Sequence, residues 1–432
     1  MPLPAVIAID PLAGPVRAQI TVPGSKSLTN RALVLAALAA GETELRGALW
    51  SEDTQVMVEC LQELGFLVTV AADPAEPGNR TITVYGQAGR VPRGGTAEQP
   101  LELFVGNAGT AARFLAAMVC LGEGAYRLRG VPRMHERPQA ALFAALRDLG
   151  YRVDSPNDKL PAVIHGAGPR PGHCRVSVAE SSQFASALLL SASVGGWEVE
   201  VAGDNADEQP YVEMTRALVK AFPAAGGRLQ IEPDASSGSY FWAADWLVNG
   251  AAAGGEPATR IRPLHWPAST WQIDAAFPRF LPLPAGISRR RDLGDSILTA
   301  VVLAPLADRP TRFTDLGRLR VQECERVAAL RTELTRCGAQ VVEEGDTLTV
   351  FPSATGLHGA SIETYNDHRI AMCFAILGLK VPGLEIKNPA CVKKTFPNFF
   401  QKLAAPPPHG LGAVLRDRLG GRVLRAAELS AD

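Results

Sequence analysis

"ALFAALRDLGYRVDS" (Ala141–Ser155) sets Leu and Ala at helical spacing, stops on a glycine, and resumes as an alternating run suited to a strand. The same succession recurs in "VECLQELGFLVTV" (58–70), "ALVKAFPAAGGRLQI" (217–231) and "ALRTELTRCGAQVVEEGDTLTV" (329–350). In each, a glycine stands just past the helix end, where a left-handed residue closes the last turn. One α/β unit used several times is therefore expected, although its intervals are irregular. Gly/Pro-rich stretches such as "PRGGTAEQP" (92–100), "NGAAAGGEPATR" (249–260) and "LPLPAG" (281–286) read as loops between units. The stretch from Ala404 onward, with "APPPHG", reads as an appendage with a frayed end.

A chain of 432 residues is too long for one ordinary core, so two or more domains are expected. With 47% hydrophobic and 20% charged residues it has the composition of a soluble globular protein. A formal charge of −1 argues against nucleic acid or an acidic membrane as the main partner. No stretch reads as a signal peptide or a bilayer span. Seven scattered cysteines without a C-x-x-C pair fit a reducing cytoplasm. Neither they nor the seven dispersed histidines have metal-ligand spacing, so metal chemistry is not expected.

Charge sits where a core would not want it. "PGSKSLTNRALVLAALAAGE" (23–42) puts Lys26 and Arg31 at the start of an apolar helix. A helix N-terminus already carries partial positive charge, so two cations there call for an anion. "VGNAGTAARFLAAMVCLG" (105–122), "VPRMHERPQAALFAALRDLG" (131–150) and "AESSQFASALLLSA" (179–192) add arginines, amides and hydroxyls at three more helix entrances. The C-terminal half brings acid/base groups. Asp292 and Asp295 precede an apolar helix, Glu323 and Arg326 share a helix face, and Asp367, His368 and Arg369 open "DHRIAMCFAILGL" (367–379). Lys393 and Lys394 follow in "CVKKTFPNFFQKL" (391–403). Together these suit proton transfer around a phosphorylated small molecule. No nucleophile elbow, Walker loop or dinucleotide fingerprint appears, which removes the corresponding hydrolase, kinase and dehydrogenase readings.

The ordered run "PGSKSLTNRALVLAAL", "GNAGTAARFL", "PRMHERP", "SSQF", "DASSGSYF", "VQECER", "YNDHR" and "KKTFPNFF" resembles the EPSP synthases of the enolpyruvyl transferase family. The resemblance spans nearly the whole chain up to about residue 403, and no reactive-cysteine loop of the UDP-sugar branch is seen. It implies an α/β fold (α+β in class) of two lobes, each three repeats of a βαβαββ unit, of the inside-out α/β barrel type. One lobe would comprise residues 1–24 and 232–432 and the other 25–231, with the active site in the cleft between them. The implied reaction moves the enolpyruvyl group of phosphoenolpyruvate to a ring hydroxyl of a shikimate-type acceptor, releasing phosphate, with no cofactor and no metal. A cytoplasmic monomer acting on small molecules alone is expected.

By matching motifs, the resemblance assigns Lys26, Asn107, Gly109, Arg137, Gln183, Arg326, Arg369 and Lys394 to phosphoenolpyruvate. Lys26, Asp295, Glu323, His368 and Lys394 would be catalytic. Ser27, Arg31, Ser181, Ser182, Gln183, Glu208, Tyr211, Asp295 and Gln322 would contact the acceptor. Two positions of the expected acceptor-phosphate pocket depart from the family pattern, and Arg318, which replaces an asparagine, would restore some positive charge. Gln322 in "RVQE" stands for a phosphate-binding lysine, and Glu208 in "EQPY" for a serine. Losing one charge-assisted contact costs about 1.5–3 kcal/mol, and a like charge adds to it. The expectation is therefore a specialised homologue whose acceptor lacks the 3-phosphate, for instance shikimate. The alternatives are an ordinary synthase acting on 3-phosphoshikimate, an enolpyruvyl-assisted elimination, and a non-catalytic phosphometabolite-binding protein.

Overall fold

The computed structural model describes residues 3–203, 209–250, 260–353, 356–418 and 421–431. Glu208 lies outside the described residues. Two compact units divide the chain: Met1–Pro23 with Pro233–Asp432, and Gly24–Glu232. The first begins with β1 (Val6–Ile9) and β2 (Ala18–Ile20). The second opens with α1 (Lys26–Leu38), β3 (Glu42–Leu49), α2 (Glu52–Glu63), β4 (Val68–Ala72) and β5 (Asn79–Tyr85). It continues through β6 (Leu101–Phe104), α3 (Gly109–Met118), β7 (Glu123–Arg129), α4 (Pro132–Glu136), α5 (Ala140–Asp148), β8 (Arg152–Asp154) and β9 (Ala162–Ala167). It closes with β10 (Gly172–Ser177), α6 (Ser182–Gly195), β11 (Trp197–Ala202), α7 (Gln209–Ala221) and β12 (Gly227–Gln230).

The chain then returns to the first unit with α8 (Ala235–Asn249), β13 (Ile261–Pro263), β14 (Gly286–Ser288), α9 (Ile297–Leu303) and β15 (Thr311–Thr314). There follow α10 (Arg326–Arg336), β16 (Val341–Glu344), β17 (Thr347–Val350), β18 (Ser361–Ile362), α11 (His368–Gly378), β19 (Leu384–Lys387), α12 (Phe399–Ala404) and β20 (Leu415–Asp417). Among the described residues no helix is long and apolar enough to cross a membrane.

In the second unit β6 runs parallel to β7, and β9 pairs antiparallel with both β7 and β8, giving the order β6-β7-β9-β8. One contiguous βαβαββ segment builds this sheet, with the helix–glycine–strand stretch 141–155 at its centre. Gly150, at φ 83°, takes the left-handed conformation that ends α5 and sends the chain into β8. The sheet β12-β3-β5-β4 has the same order and senses, but its first strand arrives from the far end of the unit. The first unit repeats the scheme. β14-β15-β17-β16 is contiguous, whereas β18-β19-β1-β20 is completed by the strand at the start of the chain. Each unit therefore holds two complete repeats. Among the described residues the third in each is only a parallel pair: β10-β11, joined by α6, and β2-β13, between which the whole second unit and α8 intervene.

The helices at the centre of each unit are apolar almost all round. Every residue of α3 is buried, and in α11 every residue but Arg369 is buried. Polar groups at their first turns can persist there only with partners.

The last stretch is not an appendage. β20 pairs antiparallel with β1, and Leu411, Leu415, Leu424 and Leu429 are all at most 5% exposed. Burial of four leucines outweighs the loop-like composition around "APPPHG". Leu415→Ala should cost about 3 kcal/mol in an equilibrium urea unfolding experiment; an unchanged midpoint would mean that this strand is not integral to the sheet.

Candidate active site

In the second unit, the start of α1 is pinned before any ligand is considered. Gly24 N donates to Asn79 Oδ1 at 2.8 Å and Ser25 N to the Glu232 carbonyl at 2.9 Å. A Cβ on Gly24 would lie 1.9 Å from the Gly47 carbonyl oxygen, so only glycine fits. Lys26 Nζ then reaches Asp53 Oδ2 at 2.9 Å, at the entrance of α2. The unbalanced cation thus has a carboxylate of its own, one that sequence reading missed. Asp53 is 27 residues away, and its place in the first turn of α2 is equally a routine choice beside a helix dipole.

Arg31 is 2% exposed. Its Nε donates to Thr215 Oγ1 at 2.7 Å, Nη1 to the Ser27 carbonyl at 2.8 Å and Nη2 to Ser186 Oγ at 3.1 Å, with the Tyr211 carbonyl at 3.5 Å. Its guanidinium carbon lies 5.3 Å from the centre of the Phe114 ring. Residues of α1, α3, α6 and α7 therefore converge on one guanidinium. Beside it, Arg113 Nη1 donates to Gln183 Oε1 at 2.8 Å, and Arg137 Nη1 donates to the Asn107 carbonyl at 3.2 Å. A Cβ on Gly109 would sit 2.5 Å from Arg113 and 2.6 Å from Arg137, so the missing side chain is what admits both guanidiniums to the head of α3. Ser181 caps α6 by accepting from Gln183 N, with Ser182 buried next to it. Asn107, Gly109, Arg137 and Gln183 are thus brought together, and Ser27, Arg31 and Tyr211 likewise.

The first unit gathers the acid/base groups around Arg326, which is 1% exposed. Arg326 Nε donates to Asp367 Oδ2 at 2.7 Å and Nη2 to Glu323 Oε2 at 2.7 Å, while Nη1 lies 3.8 Å from Asp295 Oδ1. Nη1 also donates to the amide oxygen of Gln322. Glu323 Oε1 is 3.0 Å from Lys394 Nζ, and Arg369 Nη2 is 3.2 Å from Asp295 Oδ2. Arg289, which sequence reading passed over, adds a third guanidinium 3.3 Å from Asp295 Oδ1. Burial opposes ionisation of Asp295, but Arg369, Arg326 and Arg289 together outweigh it and hold the carboxyl well below the usual carboxylate range. Asp367 is likewise held low, burial being overcome by the charge and hydrogen bond of Arg326.

Asp274 was also missed. It is buried beneath the entrance of α9 and accepts from Gly294 N at 2.8 Å, Ser296 N at 3.1 Å, Ser296 Oγ at 2.5 Å and Ser236 Oγ at 2.5 Å. These bonds fix the backbone on both sides of Asp295. Burial, and then the charge of Asp295, push the Asp274 carboxyl up. His368 is 2% exposed, with Nδ1 3.8 Å from Asp367 Oδ1, and neither ring nitrogen has a hydrogen-bond partner among the described residues. Burial pushes its pKa well below the usual imidazole value, so the ring is neutral.

A sequence profile described as EPSP synthase (3-phosphoshikimate 1-carboxyvinyltransferase) matches residues 12–225 and 289–403. The chain is 40% identical to the 3-phosphoshikimate 1-carboxyvinyltransferase of Opitutus terrae, over 94% of this chain and 98% of that one. It is 38% identical to the protein of the same name from Trichormus variabilis, over 92% and 98%. Among solved structures, the EPSP synthase of Acinetobacter baumannii superposes with a TM-score of 0.71 at 21% identity, covering 95% of this chain and 99% of that one. An enolpyruvyl transferase from Streptomyces tendae reaches 0.63 at 15% identity, covering 98% and 100%. At these identities the structural likeness speaks to the fold.

The neutral His368 carries a signature in stability. Its folded-state pKa lies below the unfolded value of about 6.5, so unfolding takes up a proton as pH falls through that value, and stability drops. The loss approaches about 1.4 kcal/mol per pH unit below that point. Replacing His368 by Gln should flatten the fall in denaturation free energy as pH drops below about 6.5. A variant with the wild-type slope would show that another group titrates there.

Proposed function

The chain belongs to the EPSP synthase (3-phosphoshikimate 1-carboxyvinyltransferase) family, and from that premise we propose that it transfers the 1-carboxyvinyl group of phosphoenolpyruvate to the 5-hydroxyl of 3-phosphoshikimate. The acceptor oxygen attacks C2 of phosphoenolpyruvate as C3 gains a proton, giving a tetrahedral ketal phosphate. Loss of inorganic phosphate and of one C3 proton then leaves the enol ether. In this proposal Lys26, Arg137, Arg326, Arg369 and Lys394 hold the phosphoenolpyruvate anion together with Asn107, Gly109 and Gln183. Ser27, Arg31, Ser181, Ser182 and Tyr211 hold the acceptor.

Asp295 receives the proton of the acceptor hydroxyl. Three guanidiniums make it a weak base in the free protein. A substrate anion that engages Arg369 and Arg326 draws that positive charge away and raises Asp295 toward a useful basicity. Glu323, gripped between Arg326 and Lys394, handles the proton at C3. His368 lies beside Asp367 as a buried neutral ring, neither nitrogen of which has a hydrogen-bond partner among the described residues, and in this proposal it assists proton traffic.

The observation that carries the choice of acceptor is the 40% identity, over 94% of the chain, to a relative named for the phosphorylated acceptor. It favours the ordinary synthase over the specialised homologue inferred from Gln322 and Glu208. The contact of Gln322 with Arg326 agrees, because it makes this side chain a member of the acid/base cluster. Phosphate release from phosphoenolpyruvate should proceed with 3-phosphoshikimate at least 100-fold more efficiently than with shikimate. A preference for shikimate would restore the specialised reading, and no release with either would remove the activity. Glu323→Gln should lower kcat by about 100- to 10,000-fold, the range for a lost general acid–base group, measured in the same assay.

A further inference from the structure

The segment that delivers Asp367, His368 and Arg369 is built on an improbable turn. Asp367 N donates to the Thr364 carbonyl at 2.8 Å, closing a four-residue turn whose central residues, Tyr365 and Asn366, have φ of 54° and 56°. Both are left-handed, as a type I′ turn demands, and neither is glycine. An aromatic side chain in that conformation is disfavoured, so surrounding structure must enforce it.

The enforcing contact comes from α10. Glu333 has no solvent exposure, and its Oε1 accepts from the Tyr365 hydroxyl at 2.7 Å. Its Oε2 accepts from Glu363 N at 3.3 Å, just before the turn, and Arg336 balances its charge at 2.9 Å. Asn388 Nδ2 donates to Asn366 Oδ1 at 3.1 Å. Glu333 stands seven residues after Arg326, two turns along the same face of one helix. That helix therefore grips the turn at two points, with Arg326 on Asp367 and Glu333 on Tyr365.

We propose that Tyr365 and Glu333 are positioning residues, a latch that holds the left-handed turn so that Asp367, His368 and Arg369 enter the site in register with Arg326. Packing of the ring does not supply the hold, because Tyr365 is 37% exposed. Burial, and then the bond to Glu333, push the phenol up to about 12, so the hydroxyl remains a donor throughout the working range of an enzyme. The activity arm of the test rests on the function proposed above; the exchange arm does not.

Three proteins decide it: wild type, Tyr365→Phe and Tyr365→Gly, compared by phosphate release from phosphoenolpyruvate with 3-phosphoshikimate and by hydrogen exchange of the amides of residues 364–372. Loss of one hydrogen bond to a charged acceptor should lower kcat/KM of Tyr365→Phe by about ten-fold and speed exchange in that segment. Tyr365→Gly should recover most of the activity, since glycine adopts a left-handed conformation without an anchor. A brace that served stability alone would leave the activity of Tyr365→Phe unchanged, and that result overturns the proposal, as does a glycine variant less active than the phenylalanine one. If wild type itself releases no phosphate, the functional reading fails while exchange still decides the latch. Faster exchange in Tyr365→Phe then upholds it, and unchanged exchange overturns it.

Discussion

A guanidinium shut away from water must be surrounded by oxygen, and in the first unit that guanidinium is Arg326. It touches Asp367, Glu323 and Gln322 and lies near Asp295, so four of its neighbours come from three separate segments of the chain. Removing any one carboxylate would leave buried charge uncompensated, which is far more costly than the net worth of a paired ion. Around it stand the cations Arg289, Arg369 and Lys394 and the carboxylates Asp295, Glu323 and Asp367. Asp274 and Asp234 also act on Arg369, so the cluster is a dense, preorganised array of partnered guanidiniums rather than a surplus of charge.

The second unit solves the same problem with fewer carboxylates. Lys26 is held ready by Asp53, and Arg31 is wrapped in hydroxyls, carbonyls and an aromatic face. Arg113 and Arg137 meet where Gly109 leaves room for them. Helix starts that carry cations are electrostatically awkward on their own. In the proposed function a multiply anionic substrate completes them.

The helix–glycine–strand rhythm was legible because it is local: each stretch runs on without a break in the chain, and Gly150 shows its left-handed stop directly. The joins were not. β12 and β1 complete sheets whose other strands lie elsewhere in the chain, and a period read along the sequence cannot register a repeat closed from its far end. The same reason hid the tail, whose leucines are sparse in sequence but converge on β1 and the core. In the site, residues assigned by motif were legible, whereas Asp53, Arg289, Asp274 and Glu333 were not, although Glu333 stands inside one of the quoted helix–strand stretches. Each acts on a segment by tertiary contact, and an isolated Asp, Glu or Arg looks like solvated surface. Gln322 was read as a lost phosphate contact; its bond to Arg326 gives it a local task that no pattern of residue types discloses.

Buried guanidiniums keep Asp295 ionised far below the usual carboxylate range and hold Asp367 low as well, which makes Asp295 a weak base in the free protein. Carbon-13 NMR titration of the labelled aspartate carboxyls, in the free protein, measures this directly. The account predicts that both resonances stay at their ionised positions while exposed aspartates titrate near about 3.9. An Asp295 resonance that moves with the exposed ones, or above them, would contradict it.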